Sequence, residues 1–81
     1  MEYHIGWCPV CNQGWQEVLR DRSTHDLFIR CDECLVEWDL PVAAKDPHLG
    51  VFQKHGPSAY ATREDLVAHS WDQYVENLGD A

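Results

Sequence analysis

All four cysteines of this 81-residue chain stand in two C-x2-C pairs, within WCPVCNQGW (residues 7–15) and RCDECLVEW (residues 30–38). A two-residue gap lets one tight turn present two thiolates side by side, and two such turns supply the corners of a tetrahedron. The full pattern, C-x2-C-x19-C-x2-C, belongs to the spacing class of four-cysteine zinc sites. We therefore predict one Zn²⁺ bound by Cys8, Cys11, Cys31 and Cys34.

Disulfide pairing, unligated thiols and thioredoxin-like redox chemistry are the other interpretations of these cysteines. The opening residues, MEYHIGWCPV, lack the basic segment and apolar run of a signal peptide. We therefore expect a cytoplasmic protein, and thiols stay reduced in that compartment. No βαβ pattern surrounds either pair, as a thioredoxin-like motif would require. Zinc is favoured, and a site closed by four protein ligands stabilises the fold rather than binding substrate.

The size of the chain explains why a metal would be needed. One domain is expected at this length, and a domain this small buries only about 60% of its unfolded surface. The apolar share of 44%, with four Trp, three Tyr and two Phe, is too high for a disordered chain. No apolar run approaches the ~18 residues of a membrane span.

The first half of the chain predicts a small antiparallel sheet. The candidate strands cover residues 2–7, 15–20, 27–31 and 36–40. The last of these alternates strictly, so that Trp38 lies on one face and Glu37 on the other. A polar stretch over residues 21–26 predicts a hairpin loop. Each cysteine pair thus lies between strands, and we predict a zinc-clamped sheet over residues 1–41.

The second half predicts a connecting segment over residues 42–61 and a helix over residues 62–79. In the connection, Asp46-Pro47 suits the start of a short helix ending at Gly56. An apolar stripe at helical spacing follows, made of Val67, Trp71, Tyr74, Val75 and Leu78. We expect this amphipathic helix to pack on the sheet with Trp71 buried, and a partner-binding face is the alternative. The fold class is therefore α+β, in one domain over residues 1–81.

The cysteine segments resemble a zinc ribbon over about residues 7–41. The hairpin and second pair resemble transcription-type ribbons, and Trp38 matches a tryptophan of transcript-cleavage elongation factors. Those ribbons carry an adjacent Asp-Glu pair at the hairpin tip, whereas this tip has one carboxylate, Asp26, beside His25. The CPxC…CxEC-x3-W pattern with a helical tail also resembles short bacterial stand-alone ribbon proteins. Some of those accompany toxin genes as immunity proteins, which implies a protein partner.

Net charge separates the possible partners. Six Lys+Arg against fourteen Asp+Glu give −8, and nucleic-acid binding needs basic residues for phosphates. Four carboxylates near the second cysteine pair are predicted to bind a basic protein: Asp32, Glu33, Glu37 and Asp39. A solvated, merely solubilising face is the alternative. A small nucleic-acid site on Arg20, Arg22 and Arg30 also stays open.

No catalytic constellation stands out in the sequence. The five histidines lack a metal-binding spacing such as H-E-x-x-H, although His48 and His55 would suit a weak second metal site. With the cysteines assigned to zinc, no nucleophile has an evident partner. We predict a non-enzymatic zinc protein that binds a basic protein, in its sharpest form an immunity protein against a basic nuclease-type toxin. A regulatory ribbon associated with nucleic acid or RNA polymerase is the alternative.

Overall fold

The two cysteine pairs lie in the turns that join strands of an antiparallel sheet. The computed structural model describes residues 2–80. Its strands are β1 (His4–Trp7), β2 (Trp15–Asp21), β3 (Leu27–Cys31), β4 (Val36–Trp38), β5 (Val51–Phe52) and β6 (Ser58–Tyr60). One α-helix, α1 (Arg63–Ala68), follows β6. The α+β class is confirmed, and the first four strands lie where the sequence predicts them.

Strand β2 is the centre of the six-stranded sheet. Along one edge it pairs with β3 from Gln16↔Cys31 to Arg20↔Leu27. Its other edge is shared, because β1 pairs with its first half and β6 with its second half. The changeover falls at Val18, whose N–H donates to Tyr3 and whose carbonyl accepts from Ala61. The sheet is continued beyond β3 by β4 and then β5.

One face of the sheet carries the core. Cross-strand partners share a face, and the register aligns Val18 with Ile29 and Ile29 with Trp38. All three side chains are buried. Ala44, from a 3₁₀ helix over Pro41–Lys45, and Leu66 of α1 belong to the same apolar cluster. The indole N–H of Trp38 donates to the carbonyl of Asp46 at 3.0 Å, so its one polar atom is satisfied in the core.

The connecting segment differs from the prediction over residues 42–61. The predicted helix start is present, because the Asp46 side chain accepts from the His48 N–H at 2.9 Å. The resulting 3₁₀ helix, Pro47–Leu49, ends well before Gly56. A Cβ added at Gly50 would overlap Val36 and crowd Trp38. Gly50 therefore lets the chain run flush against β4 and pair with it as β5.

The predicted helix over residues 62–79 is wrong in length, since α1 ends at Ala68. Its start is as expected: Thr62 Oγ1 accepts from the Asp65 N–H at 3.1 Å, and the Asp65 carboxylate accepts from the Thr62 N–H at 2.9 Å. The chain leaves the helical path at Ser70, two residues after the last residue of α1, where φ is left-handed at 60°. The Trp71 N–H then donates back to Leu66 at 2.8 Å, a helix-ending arrangement usually built on glycine.

The apolar stripe is consequently divided between several short elements. Trp71 is buried in the cluster that holds Trp38, whereas Val67 is exposed. Val75, directly after the 3₁₀ helix Asp72–Tyr74, and Leu78, which begins the 3₁₀ helix Leu78–Asp80, pack against this cluster. No helix within residues 2–80 has the length and apolar character needed to cross a membrane.

Replacing Trp71 by Ala is expected to lower the free energy of unfolding by about 3 kcal/mol, the low end for a buried aromatic, because the ring lies at the edge of the core. Urea denaturation of the metal-loaded protein measures it. The control is Tyr74→Ala in the 3₁₀ helix Asp72–Tyr74, where the side chain is 40% exposed. Equal stability of the two variants would contradict the packing of Trp71.

Candidate metal centre

The four cysteine sulfurs gather at one point between the two turns. All four Sγ atoms lie within 4.8 Å of one another, with 3.8 Å between Cys8 and Cys34 and 3.5 Å between Cys11 and Cys31. A tetrahedral site with metal–sulfur bonds of about 2.3 Å separates its sulfurs by about 3.8 Å. The four cysteines are not disulfide-bonded in this structure, because bonded sulfurs would lie about 2.05 Å apart. The arrangement fits a metal ion held by four thiolates.

Both turns have the same local construction. The first sulfur of each pair accepts backbone N–H groups: Val10 donates to Cys8, and Glu33 and Cys34 donate to Cys31, each at 3.4 Å. The residue directly after each second cysteine has a left-handed φ, 56° at Asn12 and 64° at Leu35. Asparagine tolerates this conformation, whereas leucine rarely adopts it.

Leu35 is held in that conformation by backbone hydrogen bonds on both sides. Its N–H donates to the carbonyl of Cys31 at 3.2 Å, and its own carbonyl accepts from the Gln53 N–H at 3.2 Å. A left-handed φ is costly for a leucine, so the surrounding structure must enforce it. The chain just after β5 thus supports the second metal-binding turn.

Gly14 is needed for close packing between the two metal-binding turns. A Cβ at this position would lie 2.7 Å from the Cys31 sulfur and 2.5 Å from a carboxylate oxygen of Asp32. The same Asp32 oxygen accepts from the Trp15 N–H at 2.9 Å. The absent side chain therefore lets the two turns touch, and the Asp32 carboxylate joins them.

Burial makes two of the sulfurs poor acids in the absence of a cation. It raises the pKa of Cys31 to about 12 and also raises the pKa of Cys34. The pKa of Cys11 is lowered, chiefly by the backbone N–H of Gln13. A bound divalent metal would hold all four as thiolates and cross-link the two turns, with release of protons on binding. With four protein ligands, two of them fully buried, the site leaves no position for substrate.

The predicted partner-binding carboxylates separate into three environments. Asp32 and Glu33 are exposed on the second metal-binding turn. Asp39 is exposed too, but it forms an ion pair with Lys54, N to O 2.5 Å. Glu37 is buried, so its assignment to an exposed acidic surface is wrong.

The burial of Glu37 comes from the segment between β5 and β6. This segment runs from one edge of the sheet to the other across the face opposite the core, and we call residues 53–57 the crossover. Within it, the His55 ring stacks on Phe28 at 3.9 Å between centroids. The backbone N–H of His55 donates to Glu37 Oε1 at 2.8 Å, and Nδ1 of the His55 ring lies 2.6 Å from the same oxygen.

The three arginines of the first half do not form one basic patch. Arg20 pairs with Asp65 at 3.5 Å on the core side of the sheet. Arg30 lies on the other face, 3.8 Å from Glu37. Arg22 donates from Nε to the Ser58 carbonyl at 3.1 Å. Two of the three charges thus have an internal counter-ion.

The histidines do not form the second metal site considered from the sequence. His48 is exposed, and His55 is engaged by Glu37. Within residues 2–80, the four cysteines are the one group that brings three or more potential ligand atoms together.

Comparisons of this chain with protein-family models, with curated proteins and with solved structures found no match. The four-cysteine cluster in a small antiparallel sheet is nevertheless consistent with a zinc ribbon. The chemistry of the site is therefore inferred from its own residues, and the four cysteines form a closed metal-binding centre.

Proposed function

We propose that this protein is a non-enzymatic, zinc-stabilised module that binds a basic protein through exposed carboxylates. The observation that carries the proposal is the uncompensated acidic charge around the second metal-binding turn. Of the basic residues, Arg20, Arg30 and Lys54 already have carboxylate partners within 4.0 Å. The carboxylates of Asp32 and Glu33 remain exposed.

The donor set favours zinc as the metal. Four thiolates at tetrahedral corners suit Zn²⁺ or iron, and zinc brings no redox chemistry to a site that has no open position. Reduced cysteines are needed as ligands, and the cytoplasm keeps thiols reduced. The metal then stabilises the fold, and the function depends on residues at the surface of the folded protein.

The acidic charge favours a protein partner over a nucleic acid. Four thiolates and one Zn²⁺ make the net charge more negative still, since the thiolates contribute −4 and the ion +2. Such a surface repels phosphates and speeds the encounter with a basic protein. An immunity protein that neutralises a basic nuclease-type toxin is the sharpest form of this proposal, and it rests on the sequence resemblance.

Reversing one exposed charge is expected to slow association with the partner. Glu33→Lys should lower the on-rate severalfold and leave the off-rate nearly unchanged, because rim charges act mainly on the encounter. The wild-type on-rate should also fall as salt shortens the screening length from about 10 Å at 0.1 M to about 3 Å at 1 M. The partner is first identified by affinity capture from the native cytoplasm, and the purified pair is then measured by surface plasmon resonance.

Glu64→Lys is the matched control, since Glu64 is exposed on α1, away from the metal-binding turn. An on-rate insensitive to both salt and Glu33→Lys would contradict the proposal. Micromolar binding to an oligonucleotide, lost on Arg22→Ala, would instead favour the ribbon associated with nucleic acid or RNA polymerase.

A further inference from the structure

The face of the sheet opposite the core is only partly covered. The crossover lies over Phe28 and Glu37, but three aromatic side chains beyond it are exposed: Trp7 by 46%, Trp15 by 43% and Tyr60 by 52%. The register aligns Trp7 with Trp15 and Leu19 with Tyr60. Since alternate residues of a strand share a face, these rings lie on one side of the sheet.

The two exposed tryptophans are held in place by contacts with each other and with His4. Trp7 meets Trp15 edge to face, with centroids 4.8 Å apart and planes at 85°. His4 stacks on Trp15 at 4.2 Å. The Trp15 ring is thus contacted by two neighbours, which reduces the entropy that it would lose on binding a ligand.

Glu17 lies next to this pair on the same face. It follows Trp15 by two residues in β2, and its cross-strand partners are His4 and Arg30. Its charge is the leading cause that raises the pKa of Tyr60, which pairs with Leu19, the next residue of β2 on this face. Glu17 therefore separates the tryptophans from Tyr60.

No hydrogen bond or salt bridge within residues 2–80 reaches the Glu17 carboxylate, and Arg30 across the strand lies 3.8 Å from Glu37 instead. Burial raises the pKa of Glu17 to about 7; the charges of Asp32 and Glu2 add to this rise, and the charge of Arg30 opposes it. A half-buried carboxylate among exposed rings would be stabilised by a cation.

We propose that Glu17 and Trp15 form a site for an arginine side chain of a basic protein partner. The site deepens the proposed function and rests on it. A guanidinium stacks on an aromatic ring and donates a fork of N–H groups to a carboxylate, so one side chain satisfies both features.

Other occupants fit this surface less well. Stacked nucleobases would suit the rings, but Glu2, Glu17 and Asp32 place negative charge where phosphates would follow. A second copy of the chain carries the same −8 charge. Anionic lipid headgroups are disfavoured for the same reason.

A titration of the ¹⁵N-labelled, zinc-loaded protein with a short Gly-Arg repeat peptide tests the site. The indole N–H resonances of Trp7 and Trp15 should move, whereas those of buried Trp38 and Trp71 should stay. Glu17→Gln and Trp15→Leu should each weaken peptide binding about two- to fivefold, the range for one partly exposed ion pair or cation–π contact. An unmoved Trp38 resonance shows that each variant is folded.

Two matched controls accompany these variants. Asp26→Asn removes the same charge from the exposed loop between β2 and β3, and Phe52→Ala removes an exposed ring from β5. Both should bind the peptide as the wild type does. Losses equal to those of Glu17→Gln and Trp15→Leu would overturn the site.

Two further outcomes would also overturn it. One is the absence of any shift at Trp7 and Trp15, and the other is tighter binding of a single-stranded oligonucleotide than of the peptide. The proposed function is tested separately, by the salt dependence of the on-rate for the captured partner and by the effect of Glu33→Lys on that rate. If those hold while the tryptophan resonances stay, the basic partner stands and only this site fails.

Discussion

Replacing Cys31 by Ser is expected to abolish stoichiometric zinc binding and to unfold the sheet. Cys31 is fully buried and accepts two backbone N–H groups, so a hydroxyl there loses a thiolate ligand and disturbs its turn. Structural zinc contributes an apparent ~10–16 kcal/mol of binding free energy that is coupled to folding. Small domains have a stability of only about 5–15 kcal/mol, so the loss removes most or all of it.

Metal content by mass spectrometry and near-ultraviolet circular dichroism measure the two effects. Treating the wild type with a chelator should give the same loss of structure, and adding zinc back should restore it. A Cys31→Ser protein with one equivalent of zinc and a native spectrum would contradict the site. If the metal-free protein kept its fold, the metal site would stand but its structural role would be contradicted. Iron in place of zinc would correct the metal alone.

The metal centre could be predicted because its determinants are local. The two-residue spacing within each pair specifies a turn, and the alternation around Trp38 specifies the strand that follows. Asn12 tolerates a left-handed φ and signals it in the sequence. Leu35 gives no such signal, because hydrogen bonds to Cys31 and to distant Gln53 impose its conformation.

The second half was harder to predict because non-local contacts decide it. The apolar spacing after Thr62 suits a helix, yet Ser70 adopts the left-handed conformation and ends α1 without a glycine. Strands β5 and β6 have only two and three residues, too short for a period to be visible. They exist because β4 and β2 offer edges to pair with.

Non-local contacts also limited the prediction of the carboxylates on the partner-binding surface. Alternation correctly placed Glu37 opposite Trp38, but it could not reveal that the crossover covers that side. Glu17 was not singled out from the sequence, although it stands two residues from Trp15 in a strand. That no salt bridge reaches it became visible only once the structure placed Arg30 3.8 Å from Glu37.

Removing the His55 side chain is expected to lower the free energy of unfolding by about 3–5 kcal/mol, the range for leaving a buried carboxylate without its partner. Glu37 is 1% exposed, and the Nδ1 of His55 is its closest side-chain contact at 2.6 Å. His55→Ala leaves that carboxylate in the sheet with Arg30 at 3.8 Å and the His55 backbone N–H as remaining partners. It also uncovers Phe28, whose ring the imidazole covers.

A double-mutant cycle separates these two losses in urea denaturation of the zinc-loaded protein. Glu37→Gln keeps the shape and the acceptor oxygen but removes the buried charge, so in the His55→Ala background it should recover part of the lost stability. What it does not recover reflects the uncovered Phe28 ring. His48→Ala, an exposed histidine, should change stability by no more than about 0.5 kcal/mol. If His55→Ala behaved like His48→Ala, water would already reach Glu37. The crossover would then be a loose loop over a solvated carboxylate. Arg30 would be free to pair with Glu17, and the arginine site would lose the unpaired carboxylate on which it depends.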